Sequence, residues 1–204
     1  MLKSLPPVTR AIILANIGVF LLQHVAGNIF VGLFALWPLG DQLFQPWQLV
    51  TYSFLHEGQL ARLDISHIFF NMFALFMFGR PLEHFWGSRR FLIYYFVCVL
   101  SAGATELLVQ NAAHTGGPVL GASGGVFGLL LAFAWYFPQV KLIFILVPIP
   151  MPAWLFVTLY GIMELVLGVT GAQAGVAHFA HLGGMLGGAL SILYWRARGR
   201  FSGS

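Results

Sequence analysis

The 204-residue chain is 59% hydrophobic and 8% charged, with a mean hydropathy of +0.85. A soluble globule of this size would need about 25 to 35% charged side chains on its surface, so a water-soluble domain is excluded and lipid is the expected solvent. Cys98 is the single cysteine, which removes an intrachain disulfide, a CxxC redox pair and a thiolate zinc cluster.

A bilayer core of about 30 Å needs roughly 20 apolar residues per helix. Such runs predict spans at Ala11 to Phe30, Ile65 to Phe85, Phe91 to Val109, Ala122 to Phe137, Met151 to Thr170 and Val176 to Trp195. The stretch from Leu142 to Ala172 is too short for two spans and a turn. Pro148, Pro150 and Pro152 predict that it begins extended or interfacial, with a helix after them. The expected fold is therefore an all-α membrane protein of six transmembrane helices.

The net charge of +4 would suggest nucleic acid in a soluble protein; here it reports topology instead. Lys3, Arg10, Arg80, Arg89, Arg90, Lys141, Arg196, Arg198 and Arg200 fall on one side of the predicted spans, with only Arg62 opposite. Both termini are expected in the cytoplasm. The first run extends to Phe30, which reads as a retained span rather than a cleaved signal peptide. With no repeat or low-complexity tract, residues 1–204 read as one membrane domain with short tails at about 1–10 and 196–204.

Polar residues inside these spans carry the chemistry. In the second span, His67 and Asn71 are spaced i to i+4 and share one helix face, as donors for an oxyanion or as interhelical packing bonds. The fourth span is short, about 24 Å at about 1.5 Å per residue, so its start is expected to be submerged. The polar connection before it, Gln110 to Gly121, must then line a watery cavity or be buried in protein. Ser123 is expected on that cavity's floor, at a helix N-terminus where free N–H groups favour developing negative charge; an N-cap or packing role is the plainer alternative.

The sixth span contains His178 and His181 at an energetic cost that implies a use. Gly183 with Gly187, Gly184 with Gly188, and Gly124 with Gly128 form small-xxx-small pairs that let the fourth and sixth helices touch. An imidazole could then reach the Ser123 hydroxyl, the proximity that nucleophilic catalysis needs. Glu164 in the fifth span reads as a protonated or hydrogen-bonded helix contact, or as an ion site in a transporter.

These residues resemble the rhomboid family of intramembrane serine proteases over nearly the whole chain. His67 to Asn71 is similar to the family's HxxxN, Gly121 to Gly124 to its GxSG, and Ala180 to Gly184 to its AHxxG. Gly79 to Glu83 followed by Trp86 and Gly87 is similar to a cytoplasmic turn of bacterial members. In the first loop the chain departs from the family, with Trp47 and Gln48 standing where many members have Trp then Arg.

The resemblance implies a rhomboid-like bundle with Ser123 as nucleophile and His181 as general base, and with His67, Asn71 and the Ser123 backbone N–H at the oxyanion. His178 is left as a packing residue, and Phe127 is expected to stack on His181 or simply to fill core. The fifth helix, with Trp154 and Phe156, is a candidate gate for single-pass membrane protein substrates.

The expected reaction is peptide hydrolysis through an acyl-enzyme. It uses a Ser/His dyad, because the only aspartates, Asp41 and Asp64, lie in the first loop. No cofactor, metal or nucleic acid is expected; lipid is the surroundings and a bacterial inner membrane the expected location. His56 and Glu57 are not followed by histidine at Leu60, so HExxH is absent, and no span carries the two aspartates of an aspartyl protease. A helix-binding pseudoprotease lacking the chemistry is the remaining non-enzyme alternative.

Overall fold

The computed structural model describes residues 5–58, 65–114, 116–143, 149–172 and 175–199; Lys3, Leu60, Arg62, Asp64, Pro148 and Arg200 lie outside them. The chain is mostly helical. α1 (Pro7–Ala26) opens with proline in its first turn, where a missing N–H costs nothing, and stops at Gly27, whose φ of 62° breaks the helix. The first span is thus shifted toward the N-terminus of the predicted Ala11 to Phe30. Phe30 belongs instead to a separate short helix, α2 (Asn28–Phe34).

The loop that follows contains α3 (Gln48–Thr51) and a 3-10 turn at Tyr52–Phe54. Gln48, at the site of the sequence departure, is fully buried and organises this loop. Its Oε1 accepts from the N–H of Trp37 (3.3 Å) and Gln45 (3.1 Å), and its Nε2 donates to the carbonyls of Leu33 (3.3 Å) and Leu43 (2.8 Å).

α4 (Ser66–Ala74) runs through a π turn at Leu75–Gly79 into α5 (Arg80–Trp86). Pro81 explains the wide turn, because its ring and missing N–H are incompatible with a regular helical bond to the preceding turn. The Glu83 carboxylate caps α1 across the bundle, accepting from Val8 N–H (2.9 Å), Thr9 N–H (2.7 Å) and the Thr9 hydroxyl (2.7 Å).

α6 (Ser88–Ala113) extends beyond the predicted Val109 and ends at His114 in the left-handed conformation. α7 (Ser123–Tyr136) begins at Ser123. β1 (Lys141–Ile143) pairs antiparallel with β2 (Pro150–Pro152), the extended stretch anticipated from the prolines, and α8 (Ala153–Thr170) follows directly. α9 (His178–Ala197) is the last helix. Among the described residues α1, α6 and α8 are long and apolar enough to cross a membrane, and α7 is a shorter apolar helix.

The core is the packing of α6, α7 and α9. A Cβ at Gly184 of α9 would fall on the backbone carbonyl of Gly124 in α7, so the two helices meet main chain to main chain. Gly183 and Gly187 instead face Thr105 and Ser101 of α6. The glycine pairs of α9 therefore serve two neighbours, where the sequence pattern alone predicts one.

Candidate active site

Ser123 heads α7, where first-turn N–H groups have no intrahelical partner. The connection before it is tied down at several points. Val119 and Leu36 exchange two backbone hydrogen bonds (2.8 and 2.9 Å), Gly121 N–H donates to Tyr52 O (3.0 Å), and Gln110 Nε2 donates to Gly117 O (3.3 Å). The Tyr52 hydroxyl in turn donates to Val99 O (2.7 Å) on α6. These bonds pair part of the polar backbone of the connection with protein groups.

Gly121 has a φ of 126°, a conformation that side-chain-bearing residues rarely adopt. A Cβ there would also lie 3.0 Å from His67 Cε1 and Nε2. Glycine at this point lets the His67 ring approach the start of α7. Glu57 N–H donates to His67 Nδ1 (3.2 Å), which makes Nδ1 the acceptor and leaves the proton on Nε2, the nitrogen beside Gly121. The fully buried His56 ring packs edge-on against His67 at 5.1 Å. Burial, with His67 adding a smaller effect, pushes the His56 imidazole down to about 3, so it stays neutral in any physiological medium. Asn71 lies on the same face of α4 but spends one amide hydrogen on the His67 carbonyl of its own helix (2.9 Å).

From α9, His181 Nε2 lies 2.8 Å from Ser123 Oγ. The Phe127 ring of α7 stacks on the His181 imidazole, with centroids 4.2 Å apart and planes 6° from parallel. Tyr160 of α8 stacks on Phe127 (5.2 Å, 8°), and Phe156 lies against Tyr160 (5.7 Å). A column of four rings therefore runs from His181 to α8. Trp154 is half-exposed on the outside of α8.

Ser123 itself is partly exposed.

Two acidic residues reach the site from flanking helices. Glu164 Oε2 on α8 lies 2.7 Å from His178 Nδ1 and 2.8 Å from His181 Nδ1. Glu106 on α6, which sequence reasoning passed over, accepts from Ala180 N–H (3.0 Å) in the first turn of α9, where negative charge complements the helix dipole. A carboxylate inside an apolar span was the available signal for it. Glu164, His178 and His181 each offer a ligand atom within 4.8 Å of the others, a trio that could hold a metal ion only by displacing the protons that now join them.

Residues 43–198 match the family model described as the Rhomboid domain. The chain belongs to the rhomboid family. As a rhomboid it is an integral membrane protein. It is similar to the Saccharomyces cerevisiae protein called Rhomboid protein 1, mitochondrial, with 28% identity over 180 residues, 80% of this chain and 50% of the relative. It is also similar to the rhomboid protease GlpG of Klebsiella pneumoniae, with 29% identity over 130 residues, 63% of this chain and 43% of that one. The rhomboid protease GluP of Bacillus subtilis shares 30% identity over 142 residues, 70% of this chain and 24% of its own. This rhomboid chain thus spans a quarter to a half of the length of these relatives.

Proposed function

We propose that this chain is an intramembrane serine protease that hydrolyses peptide bonds in or near the membrane helices of other proteins. The observation that carries the reading is the 2.8 Å approach of His181 Nε2 to Ser123 Oγ at the start of α7. His181 takes the hydroxyl proton as Ser123 attacks the carbonyl, then protonates the leaving amine, and water resolves the acyl-enzyme. The His67 Nε2–H and the free N–H groups at the head of α7 stabilise the oxyanion, with the remaining amide hydrogen of Asn71 as a further donor. No cofactor takes part.

The same reading assigns six spans to α1, α4 continued through α5, α6, α7, α8 and α9, with both termini in the cytoplasm and residues 1–204 as one domain. Its location is a bacterial inner membrane. Substrates are single-pass membrane proteins reaching Ser123 sideways past α8, with Trp154 and Phe156 at the gate. Only a locally unwound helix can offer its backbone carbonyl to a nucleophile, so helix-breaking or small residues near the cut favour cleavage.

The test is labelling of detergent-solubilised protein by a fluorophosphonate, with cleavage of a single-pass membrane substrate in parallel. Wild type is expected to label and cleave, and S123A and H181A to do neither. A folded wild type that stays unlabelled and inactive would replace this reading with a helix-binding pseudoprotease.

A further inference from the structure

We infer that Glu164 is a positioning residue for His181, so that the site works as a Ser123–His181–Glu164 relay rather than as a dyad. The inference rests on the protease reading above. It follows from which nitrogen of His181 faces which partner. Glu164 Oε2 receives both His178 Nδ1 (2.7 Å) and His181 Nδ1 (2.8 Å). An ionised Glu164 can only accept, so as a carboxylate it receives an N–H from both rings, and this places the proton of neutral His181 on Nδ1. His181 Nε2 then presents a lone pair to the Ser123 hydroxyl 2.8 Å away, the tautomer a general base requires.

A neutral imidazole without this partner has no fixed tautomer, and the Nε2–H form faces serine with a donor. Stacking by Phe127 holds the plane of the ring but is indifferent to which nitrogen carries the proton. Glu164 supplies what the stack cannot. When His181 takes the Ser123 proton, the neighbouring carboxylate also offsets the new positive charge without itself being protonated.

His178 has a different part. It is buried, and its Nε2 has no hydrogen-bond partner among the described residues, so its one polar contact is the carboxylate. It steadies the Glu164 oxygen without touching the reacting atoms. The sequence separations, 14 residues from Glu164 to His178 and 17 to His181, make the trio a tertiary arrangement between α8 and α9 that no local motif encodes.

The test compares wild type, S123A, E164Q and E164D in detergent. It measures the fluorophosphonate labelling rate, kcat and KM for a single-pass substrate, and the ¹⁵N NMR signals of labelled histidine. E164Q can turn its amide N–H toward Nδ1 and favour the wrong tautomer. It is expected to lower kcat and the labelling rate by about 100-fold or more at unchanged KM, following the loss seen when the acid of a serine triad becomes an amide. E164D, which keeps the charge, is expected to exceed E164Q by at least about tenfold. His181 in wild type should be protonated on Nδ1.

The inference is overturned if folded E164Q labels at the wild-type rate, or if E164D loses as much activity as E164Q, which would make the trio a helix tether. Should E164Q fail to fold, the wild-type spectrum decides alone: His181 protonated on Nε2 overturns the proposal. Failure of the protease reading looks different, since wild type itself would then neither label nor cleave.

Discussion

α7 and α8 face each other across the candidate site and differ in almost everything else. Of the 14 residues of α7, ten are buried, and its main chain touches α9. Of the 18 residues of α8, only Ala153, Val157 and Glu164 are buried, and the rest face outward or sit at the seam. α7 is held by close packing over its whole length. α8 is held by a few points: the short β-hairpin before it, the stacked rings and the Glu164 carboxylate. The serine thus rests on the firm side of the site, while the groups that stack upon and orient its histidine partner come partly from the loosely fastened side. A helix with so few residues buried against its neighbours is expected to move away from the bundle as an intact helix at lower cost than α7.

The widest gap between the two sides should appear on adding methyl groups. Gly184→Val drives a side chain into the α7 backbone and is expected to destabilise the protein by at least about 3 kcal/mol. Gly161→Ala on α8 meets only the flexible end of Met185 at 3.4 Å and should change stability by less than about 0.5 kcal/mol. Thermal unfolding in detergent checks both, and equal losses would erase the distinction.

The firm side extends into the first loop through His56. Its folded-state pKa of about 3 lies below the ordinary 6.5, so the unfolded chain binds the extra proton. The stability this neutral ring contributes is fully present above pH 6.5 and is lost as pH falls toward 3. By pH 5 the loss should be about 2 kcal/mol. His56→Phe should flatten this part of the pH–stability profile, and an unchanged slope would place the acid sensitivity elsewhere.

Gly121→Ala tests the link between the loop and α7. Strain at a φ of 126° and contact with His67 should cost about 1–3 kcal/mol and slow fluorophosphonate labelling at least about tenfold in protein that remains folded. The mildest change is at the seam. Phe127→Leu removes the stack shared by His181 and Tyr160, and a stacked pair is worth about 0.5–1.5 kcal/mol. Labelling should slow by about threefold to tenfold while hydrogen exchange in α8 accelerates and that in α6 does not.

Much of the helical frame is legible in the sequence, because apolar runs of span length report burial in lipid directly. The breaks are less so. The end of α1 at Gly27 and the π turn before Pro81 both lie inside the predicted spans, where average hydropathy does not mark them and backbone geometry decides. Within the site, spacing identifies His67 and Asn71 as sharing a face, yet not that Asn71 bonds to its own helix. Ser123 and the histidines stand out as polar residues where polarity is costly. The partners of Glu164 and Glu106 do not, since a lone carboxylate in a span announces a need for a donor without saying which helix provides it.

α9 is the last of these helices to be synthesised, and that order matters for assembly. Glu106 in α6 keeps one oxygen for Gln110 of its own helix and gives the other to Ala180, while Glu164 in α8 finds both its donors at His178 and His181. Before α9 arrives, two acidic spans must enter lipid with those partners missing, at about 2.5–3.5 kcal/mol for an unpaired charge near a helix centre. Insertion of α9 discharges both debts at once and seats its glycines on α6 and α7. The ribosome therefore delivers the helix that seats on α6 and α7 and brings both histidines after the other helices described, and no earlier intermediate carries an assembled site.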